Sequence, residues 1–407
     1  MRLTPFLLLI PLLGPALLLA QSARFEQGDF HGREAYFLEN GKMRVAALRG
    51  AGHLAEIRLK SDDPRVAVNP MRVPHYPTIE PWEYDPAKHD DIYGGGTNRL
   101  LMSGYMGHLL NFPTFGPPSA SETANGLGNH GEALTQEWKL DRSDVNDEAT
   151  VVWYSAHLPK THYNVGRALT LPADEQVLYI EEWVESLVDY DRPAMWVQHV
   201  TFGPPFVDPG KTTLDMSAKR GEVRRGGEDT DSLAQGAVVW PDGKAWDGKP
   251  ADLRVMQPKA HAGTYVGYEM DPARERAWFT MFHPDYRVLI GYAWHTADFP
   301  FMGDWQENGR NTQLPWQGKV KARGMELGTT PFGGPMQAVV SEGEFLGKPV
   351  VRWIPGRQRQ TVRYIAFLAQ IPEGYEGVAD VTIQDGRIEI TERHTGKRIT
   401  LKSERKW

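Results

Sequence analysis

The sequence predicts an all-β protein built as a large antiparallel sandwich. Turn signals recur about every ten residues through much of the chain, a spacing typical of sandwiches and barrels. In several stretches the residue type alternates from one position to the next. A period of two residues is typical of a strand whose two faces have different surroundings. There is no long amphipathic helix, internal repeat or heptad pattern. Together these observations predict one all-β fold for the 407-residue chain.

The first predicted strands surround a turn at Asn40-Gly41, a residue pair that favours tight hairpins. Gly50 and Gly52 then interrupt the strand pattern and separate two strands of a twisted antiparallel sheet. The apolar positions that predict these strands are Met43, Val45 and Ala47, followed by Leu54, Ile57 and Leu59.

Strand patterns return from about His130 onward. Residues 177–186 alternate along one long predicted strand, and residues 277–293 and 363–370 have the same texture. The last part, from Val381 to Leu401, predicts a meander with turns at Asp385-Gly386 and Thr395-Gly396.

Two long stretches are predicted to be irregular. Residues 61–97 contain six prolines and several aromatics, and a loop of this length is typical of a binding rim. Residues 208–262 are rich in Gly, Asp and Lys, which indicates surface loops with short strands. No low-complexity linker divides the chain, so residues 21–407 are predicted to form a single domain.

The N-terminus and the composition predict an exported protein. Residues 1–20 combine Arg2 with an apolar run and small residues, the pattern of a cleavable signal peptide, with an uncleaved anchor as the alternative. The chain has no cysteine, which fits a large periplasmic or secreted domain without disulfides. The net charge of −7, without a basic stripe, excludes a typical nucleic-acid-binding surface.

Three side chains in distinctive settings are candidates for acid–base chemistry. Glu326 is flanked by Gly324, Gly328 and Pro331, which predicts a turn or a short irregular segment. His130 and His199 lie in GNHGEA and WVQHVTF. A carboxylate and imidazoles can donate and accept protons as a set, although each residue alone is as readily explained as a structural group.

Several familiar catalytic signatures are missing from the sequence. It contains no HExxH, no G-x-S-x-G, no Walker loop and no dinucleotide fingerprint, so no cofactor is predicted. The histidines do not pair at helical spacing, so no metal site is predicted; a metal held by His130, His199 and Glu326 is the alternative.

The motifs around these residues resemble those of aldose 1-epimerase, the galactose mutarotase family. The resemblance rests on His130-Gly131, the strand ending in WVQHVTFGPPF, the acid in MELGTTPF and the pair Asn98-Arg99. It spans about residues 39–332 and implies a β-supersandwich of the galactose mutarotase type. The chain departs from the family pattern at Val200, where a proline usually follows the second histidine.

The resemblance also implies roles for individual residues. His199 would be the general acid at a sugar ring oxygen and Glu326 the general base at the anomeric hydroxyl, with no cofactor or metal. Substrate contacts would come from Asn98, Arg99, His130, Trp305 and Gln306. The family's substrate-binding aspartate has three candidates, which are Asp271, Asp285 and Asp304.

The resulting hypothesis is a carbohydrate-active protein that interconverts the α and β anomers of a free sugar. Three alternatives stay open, namely a noncatalytic carbohydrate-binding protein of the same fold, a polysaccharide lyase or hydrolase that uses the same cleft, and a structural or partner-binding envelope protein. The expected partner is a carbohydrate, with neither nucleic acid nor a membrane span after signal cleavage.

Overall fold

The fold was analysed in a computed structural model that describes residues 23–224 and 228–407. The predicted signal peptide lies outside these residues. Within them the chain forms twenty-eight strands, β1 to β28, which in order are Arg24–Phe30, Arg33–Glu39, Met43–Leu48, Leu54–Leu59, His108–Asn111, Lys139–Val145, Ala149–Leu158, Tyr163–Pro172, Val177–Ser186, Arg192–Ala194, Val197–Phe202, Thr213–Met216, Ala218–Val223, Gly236–Val239, Asp242–Lys244, Pro250–Asp252, Ala262–Met270, Arg276–His283, Val288–His295, Phe301–Asn308, Lys321–Gly328, Glu344–Phe345, Lys348–Pro349, Arg352–Ile354, Arg359–Gln370, Val378–Gln384, Arg387–Glu392 and Arg398–Lys402.

Helices are few and short in the same residues. The four α-helices, α1 to α4, are Pro86–Tyr93, Arg99–Gly104, Ala120–Ala124 and Met336–Glu342. Three single-turn 3₁₀-helices lie at Pro81–Glu83, Gly96–Asn98 and Ala133–Thr135. Helix α1 interrupts the stretch 61–97 that was predicted to be irregular; Asp85 caps it through the Ala87 amide and Pro86 begins it.

Two large antiparallel sheets form the body of the molecule. Thirteen strands of the described chain are ordered β1-β2-β3-β4-β5-β11-β21-β20-β17-β13-β14-β15-β16, and eight are ordered β12-β18-β19-β25-β9-β8-β7-β6. The main hydrophobic core contains buried residues of both sheets, among them Val200 and Phe202 of β11 and Tyr292 and Trp294 of β19. The predicted antiparallel sandwich is therefore confirmed.

The C-terminal meander is also confirmed. Strands β26, β27 and β28 form a three-stranded sheet, with Asp385-Gly386 between the first two. It packs through residues such as Ile388 and Ile390 on the outer face of the eight-stranded sheet, where Leu289 and Phe367 lie. The hairpin after Asn40 differs in detail from the expected tight turn. The Asn40 side chain accepts hydrogen bonds from the backbone amides of Lys42 and Met43.

A fully buried ion pair of the eight-stranded sheet lies behind strand β11 of the other sheet. Arg167 of β8 donates to Glu182 of β9, with 2.5 Å between Nε and Oε2. Glu182 also accepts hydrogen bonds from Trp196 Nε1 and Gln198 Nε2, both at 2.5 Å. Because Gln198 belongs to β11, these contacts fix the position of that strand in the sandwich.

Glu182 and its neighbour Glu181 provide a matched test of this buried pair. Glu182→Gln should lower the free energy of unfolding by about 3–5 kcal/mol, because Arg167 would then be a buried charge without its counter-ion. Glu181→Gln should cost at most about 1 kcal/mol, because its pair with Arg363 is half exposed. Chemical denaturation measures both values; equal, small losses for the two variants would contradict the assignment.

Candidate active site

His199 and Glu326 are brought together by strand register. Strands β11 and β21 are antiparallel neighbours, and His199 lies directly opposite Glu326 in their pairing. Directly paired residues project from the same face of a sheet. The imidazole Nε2 lies 2.8 Å from the carboxylate Oε1, and the two side chains are 5% and 2% exposed. An acid–base pair is therefore preformed at a buried point of this face.

The prediction of a turn around Glu326 is wrong, because residues 321–328 form strand β21. The flanking glycines serve close packing instead of chain reversal. A Cβ atom on Gly324 would lie 2.8 Å from Cε1 of His199 and 3.1 Å from Cε3 of Trp305. Only glycine leaves room at this position for the imidazole and the indole to approach the strand.

Tyr265 holds the second oxygen of the Glu326 carboxylate. Its hydroxyl lies 2.7 Å from Oε2 of Glu326 and 2.9 Å from the carbonyl oxygen of Pro331. Burial and the charge of Glu326 raise the pKa of the tyrosine, which therefore stays protonated and donates. Tyr265 can reach Glu326 because Gly303 lies between them; a Cβ on Gly303 would be 2.1 Å from the tyrosine oxygen.

The other side of the His199 ring contacts two hydroxyl groups. Nδ1 lies 2.9 Å from Oγ1 of Thr201, and the same oxygen lies 2.9 Å from the hydroxyl of Tyr105. While Nε2 carries the proton that faces Glu326, Nδ1 bonds to the Thr201 hydroxyl; it donates in the imidazolium form and accepts in the neutral form. Thr201 thus fixes the ring orientation without competing for Nε2.

His130 lies beside this pair on a loop. Its backbone has a positive φ of 67°, and its Nδ1 accepts a hydrogen bond from the backbone amide of Gly116 at 3.1 Å. The ring stacks on Phe115 and lies 5.5 Å, centre to centre, from the His199 ring. Burial, followed by the nearby His199, lowers the pKa of His130 well below its usual range. His130 is therefore neutral at pH 7, with its Nε2 proton available as a donor.

The three residues open into a cleft of about 830 Å³. Trp305 packs edge-to-face against His199 with 5.9 Å between ring centres, and Trp316 lies 5.7 Å from Trp305. Asn98 also lines the cleft, where its Oδ1 accepts from Nδ2 of Asn129 at 2.8 Å. Aromatic faces combined with amide groups are suited to a ligand that has both apolar ring faces and hydroxyl groups.

Two residues of the predicted substrate-binding set lie outside the cleft lining. Arg99 points away and pairs with Asp90 at 3.1 Å. Gln306 is buried on the opposite face of β20 from Trp305, because neighbouring strand residues alternate, and its Nε2 donates to Asp304 at 3.0 Å. The expected positions of Arg99 and Gln306 are corrected accordingly.

None of the three candidate aspartates is among the described residues that line the cleft. Asp304 is buried against Arg323, whereas Asp271 and Asp285 pair with surface lysines. The place next to Glu326 is taken by Tyr265, which was missed because a tyrosine in a strand is usually a core residue. Its flanking Gly263 and Gly267 on the same face were the available signal.

None of the described residues that line the cleft comes from the stretch 61–97. Instead the segment after β20 supplies the far wall, with Arg310, Asn311, Thr312 and Gln313.

In the described residues no three His, Asp or Glu side chains are grouped as metal ligands. Across the same part of the chain, no helix is both long and apolar enough to cross a bilayer.

Comparison with known proteins identifies the fold. No protein-family profile matches the sequence, and no curated protein is significantly similar to it. Among solved structures, a candidate aldose 1-epimerase from Klebsiella pneumoniae is 12% identical with a TM-score of 0.58, and the match covers 84% of this chain and 83% of that one.

Two further structures have the same architecture. A galactose mutarotase-like protein from Clostridium acetobutylicum is 11% identical with a TM-score of 0.56, over 86% of this chain and 99% of that one. The Slr1438 protein from Synechocystis sp. PCC 6803 is 13% identical with a TM-score of 0.52, over 83% and 96%. The chain therefore has the galactose mutarotase-like fold that its motifs implied.

The close approach of Tyr265 to Glu326 can be tested at Gly303. Gly303→Ala should lower the free energy of unfolding by about 1–3 kcal/mol, because the new methyl group would collide with the Tyr265 hydroxyl. Gly334→Ala is the matched control, since its Cβ would meet only Val339 at 3.7 Å. Denaturant unfolding that gives Gly303→Ala the stability of the wild type would show that Tyr265 is not packed in this way.

Proposed function

We propose that this protein is a mutarotase of the aldose 1-epimerase type, which interconverts the α and β anomers of a free sugar. The observation that carries the proposal is the direct contact between His199 Nε2 and Glu326 Oε1 at 2.8 Å, at the bottom of a cleft lined by aromatic and amide side chains. The shared fold supports the proposal, and the mechanism follows from the chemistry of these side chains.

A neighbouring acid and base match the requirements of this reaction. The ring oxygen and the anomeric hydroxyl of a sugar are bonded to the same carbon, so the groups that protonate one and deprotonate the other must lie side by side. Such proton transfers by positioned side chains contribute about 10²–10⁴-fold each. His199 and Glu326 meet that requirement once the two sugar oxygens replace their mutual hydrogen bond.

The proton balance closes within this pair. In its imidazolium form, His199 donates the Nε2 proton to the ring oxygen while Glu326 accepts the proton of the C1 hydroxyl. The C1–ring oxygen bond breaks, an aldehyde forms, and His199 becomes a neutral imidazole. Rotation about the C1–C2 bond exposes the other face of the aldehyde. The ring hydroxyl then returns its proton to His199 as Glu326 protonates the carbonyl oxygen, which restores both groups.

The surrounding side chains support these steps. Tyr265 holds Oε2 of Glu326, which leaves Oε1 to face the sugar. The neutral His130 can donate a hydrogen bond to a sugar oxygen from the side of Phe115. Trp305 offers an indole face next to the reacting ring. We also propose a periplasmic or secreted location, which rests on the predicted signal peptide at residues 1–20.

Strand geometry argues against hydrolysis by two carboxylates in this cleft. Among the described residues, the other acid that lines the cleft is Glu307. It lies four residues beyond Gly303, the residue that pairs with Glu326. Four residues correspond to about 13 Å along a strand. Glycoside hydrolases hold their two carboxyl groups about 5–9.5 Å apart. The backbone levels of Glu307 and Glu326 are farther apart than this range, which does not favour a hydrolytic pair.

Replacing either member of the pair should abolish most of the activity. Glu326→Gln and His199→Gln should each lower kcat by about 10²–10⁴-fold while the sugar still binds, because only the proton transfer is lost. Polarimetry of freshly dissolved α-sugars, over a panel of hexoses and pentoses, measures the rate. Glu181→Gln, on the outer face of the second sheet, is the control.

The alternatives give different results in the same assay. A noncatalytic binding protein would accelerate mutarotation of no sugar in the panel, and the Glu326→Gln change would have no turnover to remove. A lyase or hydrolase would change the mass of its substrate, whereas mutarotation leaves the mass unchanged.

Tyr265 should act as a positioning residue in this reaction. Tyr265→Phe should lower kcat by at least about 10-fold with little change in KM, because a hydrogen bond to a charged group contributes about 1.5–3 kcal/mol. Tyr268→Phe on the same strand is the matched control, since its hydroxyl has no hydrogen-bond partner among the described residues. Equal rates for the two variants would remove Tyr265 from the mechanism.

A further inference from the structure

The cleft is larger than one sugar ring requires. Its volume of about 830 Å³ lies near the upper end of the roughly 300–1,000 Å³ found for sites that bury drug-sized ligands. Sites of that size accommodate ligands larger than a single hexose ring. A single ring against His199 and Glu326 would leave much of this space unfilled.

The direction of the extra space follows from strand β20. Gly303, Trp305 and Glu307 alternate onto the cleft face, and Gly303 is the residue that pairs with Glu326. The distance from the Glu326 level to the Glu307 level is about 13 Å along the strand. The cleft therefore continues past Trp305, away from the acid–base pair.

The far end of the cleft is a preorganised surface that carries hydrogen-bonding groups. We call the residues Arg310, Asn311, Thr312 and Gln313 the distal segment. The segment is anchored at two points, because Arg310 pairs with the buried Asp231 at 3.1 Å and the Asn311 amide donates to Glu307 at 3.0 Å. Anchored groups bind a ligand without a large ordering cost.

The charges of this end favour a neutral ligand. The guanidinium of Arg310 is already paired with Asp231, and Glu307 adds a carboxylate rather than a cation. A phosphate or carboxylate on the ligand would therefore find no unpaired positive charge in the distal segment. Amide, hydroxyl and guanidinium groups suit the hydroxyl groups of a neutral sugar.

We propose that the cleft binds a neutral oligosaccharide by its reducing end, with the reacting ring at His199 and Glu326 and the next ring between Trp305 and the distal segment. The orientation rests on the proposed function, since only the reducing end carries the hemiacetal that the acid–base pair can open. Trp305 and Trp316, 5.7 Å apart, form the aromatic wall that both rings pass.

Binding measured without turnover tests the second ring independently of catalysis. Isothermal titration calorimetry would compare glucose and galactose with maltose, cellobiose and lactose on the mature wild-type protein. At least one disaccharide should bind about 10-fold or more tightly than the monosaccharide at its reducing end. The Thr312→Ala/Gln313→Ala variant should reduce that ratio at least 3-fold; both side chains are exposed, so the change should not impair folding.

The control and the contrary outcomes are distinct. Gln384→Ala, an exposed change in the C-terminal sheet, should leave the ratio unchanged. Disaccharides that bind no more tightly than their monosaccharides, or no binding of any sugar, would overturn the distal site. Tighter disaccharide binding that depends on Thr312 and Gln313 but comes without mutarotation would support the distal site and overturn the proposed function.

Discussion

The site depends on the pairing register between strands β11 and β21. Because the side-chain period of a strand is two, a slip of one residue would move either His199 or Glu326 to the opposite face of the sheet. The correct register places both side chains on the cleft face, within hydrogen-bond distance of each other. The acid–base pair is thus positioned by backbone pairing in the middle of the larger sheet, between β5 and β20, rather than by mobile loops.

The opposite face of β11 explains how this register is maintained. Gln198 points into the core and contacts Glu182 and Arg167, whereas its neighbour His199 points into the cleft. A buried network of this kind is costly to rearrange, since each polar group that loses its partner pays its desolvation penalty. Core and cleft are therefore coupled through one strand, and the stability of the core contributes to the precision of the site.

Much of the fold was predictable from the sequence, because strands announce themselves through local alternation and turns. The meander from Val381 to Leu401 and the hairpin after Asn40 are examples. The function of glycine was harder to predict. Gly324 and Gly328 indicate a turn when they are considered as local signals, but they lie in a strand, where Gly324 makes room for His199. Such close approaches depend on neighbouring strands that are distant in sequence.

The same reasoning applies to the candidate residues. His130, His199, Glu326, Asn98 and Trp305 line one cleft, whereas Arg99 and Gln306 do not. Gln306 was misplaced because successive residues of a strand project from opposite faces. Trp305 faces the cleft, so Gln306 faces the other side of β20. Tyr265 was missed because its contact with Glu326 crosses strand β20 over Gly303, and the glycines that flank Tyr265 do not by themselves reveal that partner.

A crystal structure of the Glu326→Gln protein with a bound reducing sugar tests the central claim most directly. The account predicts that the ring oxygen lies within hydrogen-bond distance of His199 Nε2, with the C1 hydroxyl against the side chain at position 326. A sugar bound with its anomeric carbon away from these two side chains would contradict it.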